Sequence, residues 1–182
     1  MLRRIRRVSL VLLLAAATVA VLGVVSVRPA LQEAQQAADR RWRPLRDPLA
    51  ARYAALERVA EALGQAGAGD RQVTRALRDR LGLWELLAVT TDAAGQAAAA
   101  ADLEGLAARA RTTAREVDAL AAQEPLAASL RAFDATVPDD RLVASYNRSV
   151  LRYERRRRDP LRRVVADLDG YGPRRALELS LP

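Results

Sequence analysis

Residues 42–63 read "WRPLRDPLAARYAALERVAEAL". Trp42, Leu45, Leu49, Arg52, Leu56, Val59 and Leu63 recur alternately three and four residues apart. That spacing lines one side of an amphipathic helix and forms the seam of a helical bundle. Pro44 and Pro48 fall inside the run, which predicts a bend or a fresh helix start near Asp47, a residue suited to capping. One member of the seam is charged. A desolvated Arg52 requires a carboxylate across the core, and Glu85 and Asp102 are the candidates.

The same period continues along the chain. "LGQAGAGD" at 63–70 breaks the helix and leaves Asp70 placed to cap the next one. Val73, Leu77, Leu81, Trp84 and Leu87 then give a second apolar face. After "DAAGQAAAAAD", Leu103, Leu106, Ala110, Thr113, Val117 and Leu120 give a third. Pro125 and Pro138 punctuate a connection, and Leu142, Tyr146, Val150 and Tyr153 share one side of a last helix. Short links between four such helices favour an antiparallel, up-down-up-down arrangement. Many seam positions are alanine, so each layer buries little and the helices must approach closely.

Composition narrows the chemistry. The 182 residues include 30 basic ones, all arginine, with no lysine, histidine or cysteine. Disulfides, imidazole acid–base work, lysine Schiff bases and most zinc or iron sites are thereby removed. A di-iron bundle needs Glu-x-x-His pairs, which a chain without histidine cannot supply. No enzyme is expected, and no cofactor or metal.

Outward from the bundle, the N-terminal "MLRRIRR" precedes twenty uncharged residues, Val8 to Val27, closed by Arg28 and Pro29. As a helix these would span roughly 30 Å, the thickness of a hydrocarbon core. The four flanking arginines predict a cytoplasmic N-terminus and an exported bundle. The expected fold class is therefore all-α: a single N-terminal transmembrane helix, then an antiparallel four-helix bundle. The divisions are a basic tip and anchor at 1–28, the exported bundle at 29–168 and a C-terminal tail at 169–182. A cell-membrane, single-pass protein is the resulting expectation, with the membrane as its integral partner.

The charge is unevenly placed. Residues 1–28 hold five arginines and no acid, 29–140 hold 14 arginines against 17 acids, and 141–182 hold 11 against five. "LRYERRRRDP" at 151–160 concentrates the last group. Four arginines before Pro160 suit a final helical turn, where exposed carbonyls favour cations by about 0.3–1 kcal/mol each. The functional alternative is contact with an anionic surface through Arg155, Arg156, Arg162 and Arg163. Counting helical passes from the anchor returns this end to the lipid interface, where each cation contributes about 1 kcal/mol. Anionic lipid or an envelope protein is the expected contact. Nucleic acid is not, because interleaved stacking aromatics are missing.

"YNRSVLRYERRRRDPLRRVVADLDGY" at 146–171 is less generic. Tyr-Asn, a Val three residues on, a second Tyr three later, a proline turn, an alanine and a Gly-aromatic pair occupy Tyr146, Asn147, Val150, Tyr153, Pro160, Ala166, Gly170 and Tyr171. Together with Trp42, Leu45, Leu49, Arg52, Tyr53, Leu56 and Val59, this pattern resembles the LemA family of membrane-anchored bacterial helical bundles. "VTRA" at 73–76 and Pro125 with Phe133 are weaker echoes. Asp159 stands where the family has Phe, Glu154 where it has Asn, and Arg157 at an apolar seam position. The resemblance implies a four-helix antiparallel bundle behind one anchor and carries no assigned reaction, hence no catalytic residues. Asn147 should make a cross-helix hydrogen bond.

"DLDGYGPRRALE" at 167–178 imitates a calcium loop, with Asp, Asp, Gly and Glu at positions one, three, six and twelve. Tyr171 and Arg174 replace the oxygen ligand and the apolar residue that such a loop needs, so no metal site is assigned.

Overall fold

The computed structural model describes residues 27–116, 120 and 122–181. Helix α1 covers residues 27–42. A 3₁₀ turn at Arg43–Leu45 carries it into α2, Arg46–Leu63. Then come α3 (Gln72–Ala88), α4 (Ala93–Glu116), α5 (Glu124–Asp134), α6 (Asp140–Arg157) and α7 (Pro160–Leu168). The described residues contain no strand.

The first pass is longer than its heptads suggested. Residues 30–41, "ALQEAQQAADRR", are rich in good helix formers, and Leu31, Ala34, Ala38 and Trp42 are buried on one stripe. Asp47 caps nothing. Leu45 and Arg46 keep right-handed helical dihedrals, so Pro44 and Pro48 are absorbed by a local tightening instead of a restart. Two further expectations are corrected here. Asp70 does not cap α3, whose N-cap is Arg71 without a side-chain bond. The alanine run at 93–101 is itself helix, capped by Asp92 Oδ1 accepting from the amides of Ala94 (3.1 Å) and Gly95 (2.9 Å).

Contacts set the direction of each pass. Tyr53 meets Trp84 edge-on, with ring centroids 4.8 Å apart, which runs α3 against α2. Arg80 pairs with Asp102 at 3.3 Å, returning α4 along α3. The Trp42 indole donates to Gln96 and the Tyr53 hydroxyl to the Ala100 carbonyl, so α4 runs parallel to α1–α2. Arg52 reaches the Phe133 carbonyl, and Arg156 the Ala30 carbonyl, so α5 and α6 together descend along α2 and then α1. The connection punctuated by Pro125 thus holds a helix of its own, with the proline in its first turn, where amides lack intrahelical partners.

The core forms between these passes. Its large members are Trp42, Tyr53, Tyr146, Phe133 and the leucines of α2, while α4 contributes Ala97, Ala100, Ala107, Ala110 and Ala114. The real seam of α4 is Ala100, Leu103, Ala107, Ala110 and Ala114, displaced by one residue from the expected Leu106 and Thr113. Beyond α6, the chain reverses at Asp159–Pro160 into α7, whose Val165 and Ala166 pack on Leu31. From Tyr171 the chain runs without regular secondary structure back along the bundle.

The transmembrane reading is corrected. Among the described residues no helix is long and apolar enough to cross a membrane. The apolar stretch Val8 to Val27 lies outside the described residues except for its last position. The single-pass location, the integral membrane partner and the pass-counting that placed the arginines at a lipid interface rested on that stretch and fall with it.

Candidate functional site

Two buried charged residues, Arg52 and Glu104, meet the C-terminal segment. Arg52, 0% exposed, forms a two-pronged pair with Glu104, through Nε–Oε1 at 2.7 Å and Nη2–Oε2 at 3.0 Å. Neither expected carboxylate is the partner: Glu85 is exposed, and Asp102 pairs with Arg80 and Arg175. Arg52 also donates to the carbonyls of Phe133 (3.1 Å) and Ser180 (2.9 Å), and its guanidinium lies 3.8 Å from the Phe133 ring centre. Glu104 Oε2 additionally accepts from the Ser180 amide and hydroxyl, at 2.8 and 2.9 Å. The pair is therefore fully hydrogen-bonded, the condition under which buried charges are tolerated.

Helix α6 supplies the rest of the cradle. Tyr146 donates to the Arg175 carbonyl (2.9 Å), and Tyr153 to that of Gly172 (2.8 Å). Asn147 makes a reciprocal pair with the Leu177 backbone, donating to its carbonyl and accepting from its amide at 2.8 Å each. That replaces the expected cross-helix bond. Glu154 accepts from the Arg174 amide at 2.7 Å. Val150, in the same stripe, is core. The signature residues of α6 thus point at the segment after α7, a role invisible to helical periodicity.

Gly170 and Tyr171 finish α7. Gly170 has φ +73°, and the Tyr171 amide bonds the Ala166 carbonyl at 2.8 Å, the closing bond of a Schellman turn. The two aspartates of the calcium-like run are engaged by arginines: Asp167 lies 3.6 Å from Arg157, and Asp169 pairs with Arg28. That hydrogen bond to Arg28 holds the Asp169 carboxyl below its ordinary range. Among the described residues no group of acids could hold a metal ion.

The arginine run divides by role. Arg157 is half-buried and donates to the Tyr171 carbonyl at 2.9 Å. Arg156 is exposed and bonds the Ala30 carbonyl at 3.1 Å. Arg155, Arg158 and Arg163 are exposed, and Arg162 is half-buried. Asp159 caps α7 through the Arg162 amide, and Pro160 takes the first helical position, so proline starts a helix here as well as ending one. The resulting corner also exposes Leu151 (53%), Val164 (57%) and Leu168 (75%).

Burial pushes the phenols of Tyr53, Tyr146 and Tyr153 above their ordinary value. Unfolded tyrosine ionises near pH ~10. Above that pH the unfolded chain holds fewer protons than the folded one, so stability falls as pH rises. In an alkaline titration, phenolate absorbance from these three tyrosines should appear together with loss of helical circular dichroism. Gradual ionisation of a still-folded chain would contradict this.

The chain matches no family model, no curated protein and no solved structure.

Proposed function

We propose that the chain is a non-enzymatic helical-bundle protein that acts by docking, with the α6–α7 corner as its contact surface; the LemA resemblance, which carries no assigned reaction, is compatible with this. The observation that carries this reading is the exposure there of Arg155, Arg158 and Arg163 together with Leu151, Val164 and Leu168. Cations beside uncovered apolar side chains suit a partner that is acidic and partly apolar. The buried polar groups support it from the other side, because Arg52, Glu104, Asn147, Tyr146 and Tyr153 are engaged in holding the chain together.

A photoreactive residue at Leu151 or Val164 should give one discrete protein adduct in cells. The same residue at Val89, 88% exposed on a different loop, should give none. Equal labelling from both positions would remove the corner from consideration. The second reading, contact with an anionic lipid or polymer through Arg155, Arg156, Arg162 and Arg163, is favoured by the same excess of arginine. Binding to vesicles should then require anionic lipid, weaken with salt and fall at least tenfold in the double variant Arg155→Glu/Arg163→Glu, given about 1 kcal/mol per basic residue. Equal binding to neutral vesicles would eliminate it.

A further inference from the structure

The segment from Gly172 to Leu181 lies on the bundle as a peptide lies on a receptor. Its backbone is met by side chains and not by a neighbouring strand. Tyr153, Tyr146, Asn147 and Arg52 donate to the carbonyls of Gly172, Arg175, Leu177 and Ser180. Glu154, Asn147 and Glu104 accept from the amides of Arg174, Leu177 and Ser180. Backbone contacts of this kind hold any extended chain in register; side-chain pockets decide which chain.

Four positions supply that selectivity. Leu177 is 1% exposed and plugs the core. Arg174, 8% exposed, pairs with Asp39 at 2.8 Å, and Arg175 with Asp102 at 2.7 Å. The Ser180 hydroxyl donates to Glu104. Asp39, Asp102, Glu104 and Glu154 therefore give the groove an acidic lining.

We infer that the groove between α1–α2, α4 and α6 is a recognition site for an extended, basic segment of a partner protein, with two arginines, an apolar anchor two residues later and a hydroxyl three residues after that. Residues 172–181 fill it in cis and act as a built-in competitor. They join α7 through Gly170 and Gly172, whose backbone freedom lets the segment leave the groove by rotation at this joint. A tether this short holds the competitor at an effective concentration of about millimolar. A partner segment gains the groove only when it binds more tightly or when the cis segment is loosened.

The test uses the full chain and a fluorescent peptide with the sequence of residues 172–181. Leu177→Asp places a carboxylate where the core excludes it and expels the cis segment. Peptide should bind this variant saturably and at least tenfold more tightly than the unaltered chain. Adding Asn147→Ala should remove that gain, and a peptide with both arginines changed to glutamate should not bind. Should Leu177→Asp lose its helical circular dichroism, Arg174→Ala/Arg175→Ala loosens the segment without touching the core and should show the same ranking. In the unaltered chain, peptide at several times the roughly millimolar effective concentration should speed hydrogen exchange of the Leu177 and Ser180 amides at least tenfold. A folded, opened variant that binds no peptide, or binds the charge-reversed one equally, overturns the inference, as does unchanged exchange. A concentration-dependent dimer that excludes the peptide also overturns it and assigns the groove to a second copy of the chain.

Discussion

Replacing Glu104 by Leu should destabilise the chain by about 3–5 kcal/mol, because it strands a buried arginine without its counter-charge. Arg52 has 0% exposure and cannot recover hydration without opening the core. The damage spreads further than the pair. Glu104 is also the acceptor for the Ser180 amide and hydroxyl, so its loss also frees the Ser180 end of the C-terminal segment. Against a whole-domain stability of about 5–15 kcal/mol, such a change removes a large share. Urea unfolding followed by circular dichroism measures it. The double variant Arg52→Met/Glu104→Leu discriminates between causes. Where two isolated charges are exchanged for apolar groups, stability commonly returns in full. Here recovery should stop about 1–3 kcal/mol short, since the Ser180 carbonyl and amide would stay unpaired. Full recovery would show that the pair serves only itself and holds no other part of the chain.

The residues that make this pair were unequally legible in the sequence. Arg52 announces itself by interrupting an otherwise apolar heptad. Its partner does not, because Glu104 lies on a helix whose seam is alanine, and alanine gives little contrast between the inside and the outside of a helix. A reading anchored on leucines places Leu103 and Ala110 correctly but takes Leu106 and Thr113 where the buried positions are Ala107 and Ala114, and nothing in that pattern marks Glu104 as buried. Helix α5 was missed for a related reason. Pro125 reads as a breaker, but in a first helical turn proline loses no hydrogen bond.

The C-terminal cradle was illegible in principle. Helices and strands betray themselves by repeating every 3.6 or two residues, whereas a segment held by side chains from several helices repeats nothing. Tyr146, Asn147 and Tyr153 were singled out as a pattern in α6, yet what they bind lies 19 to 30 residues further on. The arginine run fits the last turn of α6, where Arg155, Arg156 and Arg157 lie. Charge density made it conspicuous, while the structure ties Arg156 and Arg157 to nearby carbonyls and leaves Arg155, Arg158 and Arg163 exposed.

Trp42→Ala should cost about 3–5 kcal/mol, the range for removing a large buried ring. At 1% exposure Trp42 sits where α1 becomes α2, its ring 5.0 Å from that of Tyr146 and tilted by 58°. Its indole N–H donates to Gln96 at 2.8 Å, and Gln96 in turn donates to the Leu87 and Thr90 carbonyls in the α3–α4 connection. One side chain thus joins the first, third and fourth passes and, through Gln96, the end of α3 and the turn after it. At roughly 2–4 °C per kcal/mol for a chain of this size, the melting temperature should drop by about 10 °C. Trp42→Phe separates the contributions. It keeps most of the ring contact but leaves Gln96 Oε1 without its donor, and should lose only about 1–3 kcal/mol. A double-mutant cycle with Tyr146→Leu should return about 0.5–1.5 kcal/mol of coupling from the ring pair. If instead Trp42→Ala melts within a degree or two of the unaltered chain, the 3₁₀ turn is not packed as described. The continuity of the first pass from residue 27 to Leu63, on which the whole alignment of α6 against α1 depends, would then fail with it.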